Sequence, residues 1–117
     1  MATQTDQSPL ASHTCVPCRG DTPALTTEQQ TPLLASLVGW KIEDEQRLMR
    51  DFSFSNFLEA LEFTNRAGSI AEEQGHHPEI TVGWGHAKVV IWTHKINGLT
   101  ENDFILAAKL NQIEKSS

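Results

Sequence analysis

The stretch AEEQGHHPEITVGWGHAKVVIWTHK, residues 71–95, carries a helix end, a stiff corner and a hairpin in close succession. Gly75 stops a helix, and His76-His77-Pro78 cannot continue one, because Pro78 holds His77 in an extended conformation. Ile80, Val82 and Trp84 then alternate with Thr81 and Gly83, a strand pattern. Gly85-His86-Ala87 fits a turn, and Lys88 to His94 reads as a second strand rich in Val, Ile, Trp and Thr.

Upstream, Ser55 to Gln74 reads as the longest helix, with Phe57, Leu61, Thr64, Ala67 and Ala71 at spacings of three and four. Before it, Trp40–Glu43 and Arg47–Phe52 form a short antiparallel pair around Asp44-Glu45-Gln46. A first helix lies within TTEQQTPLLASLVGW, residues 26–40. Thr26 with Gln29 fits a capping box there, and Thr31-Pro32 offers a second start. Leu33, Leu34, Leu37 and Val38 supply its apolar stripe, and Gly39 ends it. Downstream, Thr100 caps a last helix. Leu99 and Phe104 are spaced as a hydrophobic staple, and Leu106, Ala107, Leu110 and Ile113 form the buried face. The order α-β-β-α-β-β-α predicts an α+β domain: a four-stranded antiparallel sheet with three helices packed on one face.

At 117 residues the chain holds one domain, placed at 25–117. Residues 1–24, rich in Thr, Ser, Gln and Pro, read as a flexible N-terminal tail with a Cys-x-x-Cys motif. A net charge of −6 with no basic cluster argues against nucleic acid and anionic membrane surfaces. No apolar run suits a membrane span, and Met1–Pro9 lacks the apolar core of a secretory signal, so a cytoplasmic address is expected. Cys15 and Cys18 stand too close together to staple a fold. With His13 they offer three zinc ligands where structural zinc wants four; His86 or a second chain would have to complete the set. Reduced thiols are the simpler reading, and no metal is expected.

If the hairpin pairs as read, the segment near Glu79 and the end near His94 lie together, so His76, His77 and His94 share one mouth at the sheet edge. Imidazole titrates at about pH 6.5, so such rings can give and take protons at neutral pH. Side chains of neighbouring residues on an extended segment point apart, so His76 and His77 are poorly placed to chelate one ion. From residue types alone, the trio is either an acid–base constellation or three surface and capping histidines. Trp92, two residues before His94, is the best candidate among Trp40, Trp84 and Trp92 to stack on a flat ligand, core packing being the alternative for all three.

Glu72, three residues, then His76-His77-Pro78 resembles the signature of the pterin-4a-carbinolamine dehydratase family. The similarity continues through Trp84, the Val89/Ile91 strand, Thr93-His94 and Gly98-Leu99-Thr100-Glu101-Asn102-Asp103. Upstream it includes Gly39-Trp40 and Phe52-x-Phe54, and it spans roughly residues 25 to 113. The resemblance implies a cofactor-free, metal-free enzyme that dehydrates 4a-hydroxytetrahydrobiopterin to quinonoid dihydropterin and so recycles the cofactor of aromatic amino-acid hydroxylases. It also implies a homodimer or homotetramer. By position it makes His76, His77 and His94 catalytic, with His76 and His94 moving protons and His77 holding the pterin. Gly75, Thr93, Asp103 and Glu72 join the histidines in substrate binding. Asp103 is equally well explained as a cap of the last helix; for Glu72 a solvated carboxylate is the simpler reading, and orienting a histidine is the alternative. Two positions depart from the family: Gly75 replaces a common Asp or Asn, and Lys95 stands where an acidic residue is common. The rival reading is a protein-binding adaptor on the same fold with little or no catalysis.

Overall fold

Two of the helices begin where a side chain accepts from a backbone N–H of the first turn. Residues 9–16 and 22–116 are described by the computed structural model. Helix α1, Thr27–Ala35, is opened by Thr26, whose hydroxyl accepts from the Gln29 N–H while the Gln29 side chain accepts from the Thr26 N–H. This is the capping box expected; Pro32 lies inside the helix and is not its start. Helix α2, Phe57–Gln74, is capped by Asn56, which accepts from the Glu59 N–H at 2.8 Å. Helix α3 is Glu101–Ser116.

The strands are β1 Lys41–Glu43, β2 Arg47–Ser53, β3 Glu79–Gly83 and β4 His86–Ile91. All neighbours are antiparallel, in the order β1-β2-β4-β3. The chain therefore has the expected α+β architecture of three helices and a four-stranded sheet. Leu48 and Phe52 pair with Ile91 and Ala87, and with Val89 all five are fully buried on the inner face. The alternate positions Asp51, Lys88, Glu79 and Thr81 are exposed on the other face, as the period of two demands.

Several local details differ from the sequence reading. The β3–β4 turn is Trp84-Gly85, with Gly83 opposite His86, because Gly85 takes the left-handed position that a two-residue turn needs. Trp84 therefore leaves the strand and is 72% exposed. Strand β4 ends at Ile91, and His94 opens a short 3-10 turn, His94–Ile96, instead of closing the strand. The buried stripe of α2 is Ala60, Phe63, Ala67 and Ala71; Phe57 stays exposed. Phe63 wins the inner position because it packs on Phe52 and Phe54, at ring separations of 4.4 and 5.3 Å. Val38 is also exposed.

The stripe expected on α3 (Leu106, Ala107, Leu110, Ile113) is buried, but so are Phe104, Ile105 and Ala108. Helix α3 is covered on a further side by a 3-10 turn, Pro9–Ser12, whose Leu10 joins the core. Residues 9–16 thus pack on the domain, where the sequence reading had placed them in a flexible tail. The apolar side chain of Leu10 and the backbone bonds described below supply the anchorage that tail composition does not reveal.

Candidate functional site

Gly75 closes α2 in the left-handed conformation, φ +67° and ψ 27°, and turns the chain so that His76 and His77 leave at the helix end. The pairing of Glu79 with Val90 then fixes this corner beside the end of β4. Across it, Thr93 and Gly98 form an isolated bridge, which folds the 94–97 turn back and brings Thr100 and the start of α3 into the same corner. A cavity of about 480 Å³ opens there. It is lined by Gly75, His76, His77, Thr93 and His94, and also by Cys15, Val16, Gln74, Lys95 and Asn102.

Asp103 organises the floor. It is fully buried and is the third residue after Thr100. Its Oδ2 accepts from the Thr100 N–H at 2.8 Å and from the Thr93 hydroxyl at 2.8 Å. Its Oδ1 lies 2.6 Å from His76 Nε2. Because Thr93 spends its one proton on Asp103, the 2.9 Å contact between the two threonine hydroxyls is donated by Thr100. Asp103 therefore both serves the start of α3 and holds His76, and it does not itself line the cavity. A carboxylate accepts only, so Nε2 carries the proton of the neutral ring and Nδ1 is left as its acceptor.

The other histidines are held differently. His77 Nε2 lies 3.0 Å from Glu72 Oε1, with the side chains 60% and 81% exposed, so this pair is well solvated and contributes little stability. His94 is stacked on Trp92, ring centroids 4.3 Å apart and planes within 4°. The Arg47 guanidinium also lies over the Trp92 ring at 4.1 Å and donates to Asn97 Oδ1 at 3.0 Å. Trp92 is thus engaged by the chain's own side chains and does not line the cavity; it is a platform for His94, not an open stacking surface.

Among the described residues, no group of three His, Cys, Asp or Glu side chains is placed to hold a metal ion. Cys18 lies outside the described residues, and His86 sits at the far end of β4 from the cavity. No helix among the described residues is long and apolar enough to cross a membrane. Sequence reasoning missed Asn102, Gln74, Cys15 and Val16. Asn102 had a usable signal, since a polar residue next to the cap at the start of a buried helix needs a partner.

The chain is thus a small α+β protein with a histidine-lined corner pocket braced by a buried carboxylate. The model of the family described as pterin 4 alpha carbinolamine dehydratase matches residues 23–113, and the chain belongs to that family. A protein of Rubrobacter xylanophilus, provisionally named pterin-4-alpha-carbinolamine dehydratase, is 52% identical over 106 residues, covering 91% of this chain and 99% of its own. A Methylococcus capsulatus protein with the same provisional name is 46% identical, covering 92% and 96%. Among solved structures, a transcriptional coactivator/pterin dehydratase from Brucella melitensis superposes with a TM-score of 0.73 at 34% identity, covering 78% of this chain and 98% of its own. A pterin dehydratase-like protein described as a RuBisCO assembly factor in the alpha-carboxysome gives 0.58 at 22% identity, covering 68% and 93%, a likeness of fold alone.

Proposed function

We propose that this protein dehydrates a 4a-hydroxytetrahydropterin, such as 4a-hydroxytetrahydrobiopterin, to the quinonoid dihydropterin and water. The observation that carries the reading is the convergence of His76, His77 and His94 on one cavity, with His76 fixed by the buried Asp103. The reaction removes a hydroxyl as water and a proton from a ring nitrogen. It needs one group to give a proton and another to take one, which two imidazoles in opposite protonation states supply. His76, with Nε2–H held by Asp103, presents Nδ1 as the base. His94, exposed on its Trp92 platform, is the acid that protonates the departing hydroxyl. His77 and the Gly75 backbone hold the pterin, and Thr93 orients Asp103. No step calls on a metal or organic cofactor.

The same reading makes the protein a cytoplasmic homodimer or homotetramer, and the exposed Phe57, Leu58 and Trp84 support self-association. The adaptor reading draws on the Brucella melitensis relative, described as a coactivator as well as a dehydratase. The bond from His76 to the buried Asp103 favours chemistry, because surface recognition alone does not require a ring held in one tautomer. The test is a stopped-flow measurement of 4a-hydroxytetrahydropterin decay with and without the protein. Acceleration by the parent chain and its loss in His94→Ala are expected. An unchanged rate in His94→Ala would remove that residue from the mechanism, and no acceleration by the parent would leave the adaptor reading standing.

A further inference from the structure

Residues 9–16 lie outside the region matched by the family model, 23–113, yet they reach the cavity. The route is built from specific contacts. Leu10 is buried in the core, and Lys109 Nζ donates to the Ala11 carbonyl at 2.9 Å. The Cys15 N–H donates to Gln74 Oε1 at 2.9 Å, and the Cys15 thiol donates to the Asn102 carbonyl at 3.6 Å. At Val16 the Asn102 side chain imitates a strand partner: its Oδ1 accepts from the Val16 N–H at 3.0 Å and its Nδ2 donates to the Val16 carbonyl at 2.6 Å. Asn102 is itself buried. Gln74 is two residues before His76, and Asn102 is one before Asp103. The segment therefore ties together the two helix ends that carry the His76–Asp103 pair, while Cys15 and Val16 form a wall of the cavity.

We propose that residues 9–16 are a strap that completes the pterin-binding pocket, with Asn102 as the positioning residue that clamps it. This rests on the pterin reading given above. Asn102 acts through Val16, so it governs how tightly the pterin is held more than how fast the bound pterin reacts. The Val16 side chain is 63% exposed and faces the ligand space from a backbone fixed on both sides.

The test uses the full chain and two independent readouts. In steady-state turnover, Asn102→Ala should raise KM by about tenfold with kcat lowered less than about threefold, the loss expected from the two part-buried hydrogen bonds it removes. Lys109→Met, which frees the strap at its far end without touching the cavity, should raise KM in the same direction. Val16→Glu, at an exposed side chain and with both backbone bonds retained, should raise KM too. In a Cys18→Ser background Cys15 is the remaining thiol of the chain's two. Its modification by a disulfide reagent should slow when a dihydropterin is added and speed up by about tenfold in Asn102→Ala, since local opening controls access to a buried thiol. Normal turnover by the parent with KM unchanged in Asn102→Ala and Val16→Glu would overturn the strap alone. So would a Cys15 labelling rate indifferent to saturating pterin. A parent chain that neither binds nor turns over a pterin would overturn the pterin reading, and this inference with it.

Discussion

Replacing Asp103 by Asn changes almost no volume but reverses the logic of the floor. The carboxylate accepts three hydrogen bonds, from Thr100 N–H, from Thr93 Oγ and from His76 Nε2. An amide has one oxygen and one NH₂. Keeping its oxygen on the threonine donors turns the NH₂ toward His76. Nε2 must then accept, and the proton of the neutral ring moves to Nδ1, the atom assigned to take a proton from the substrate. A base held in the wrong tautomer loses on the order of 10²–10⁴ in rate. The structural loss is smaller. Weakened charge-assisted bonds and a neutralised helix N-terminus together cost about 1–2 kcal/mol, or about 4–8 °C in Tm per kcal/mol for a domain near this size. Stopped-flow decay of 4a-hydroxytetrahydropterin, paired with a thermal melt, separates the two. A folded Asp103→Asn protein that works within about threefold of the parent would show that the carboxylate does not set the His76 tautomer during turnover. Asp103→Ala should be less stable than Asp103→Asn, because it strands buried donors at about 1–3 kcal/mol each.

Trp92→Ala removes the surface on which His94 lies, and a stacking contribution of about 0.5–1.5 kcal/mol predicts a fall in kcat/KM of about two- to thirteenfold, with Trp92→Phe retaining most of the activity. In Gly75→Ala an added Cβ meets nothing within 4 Å, so only the φ of +67° is penalised. That penalty, about 1 kcal/mol, should lower Tm by about 4–8 °C, and Gly75→Asn, better suited to this conformation, should lower it less. Proton transfer by imidazoles predicts a rate that changes with pH, and a flat profile in stopped flow would take the histidines out of the rate-limiting proton transfers.

What the sequence determined by itself was local. Caps such as Thr26 with Gln29, the alternation through Ile80 and Val82, and the stop at Gly75-His76-His77-Pro78 are written in residues a few positions apart. They specify the elements, their order and the presentation of the histidine pair. The triplet of histidines was visible because the hairpin brings its two outer ends together whatever turn closes it. The tertiary structure alone settled what holds those histidines. His76 meets Asp103 from 27 positions away, and Val16 meets Asn102 from 86. Such contacts depend on how α3 is rotated against the sheet and which side of it Leu10 covers, and no periodicity within one segment records either. The burial of Ala60 and Phe63 in place of Phe57 has the same origin. A helix's own pattern allows more than one apolar face, and the aromatic rings of Phe52 and Phe54 choose between them.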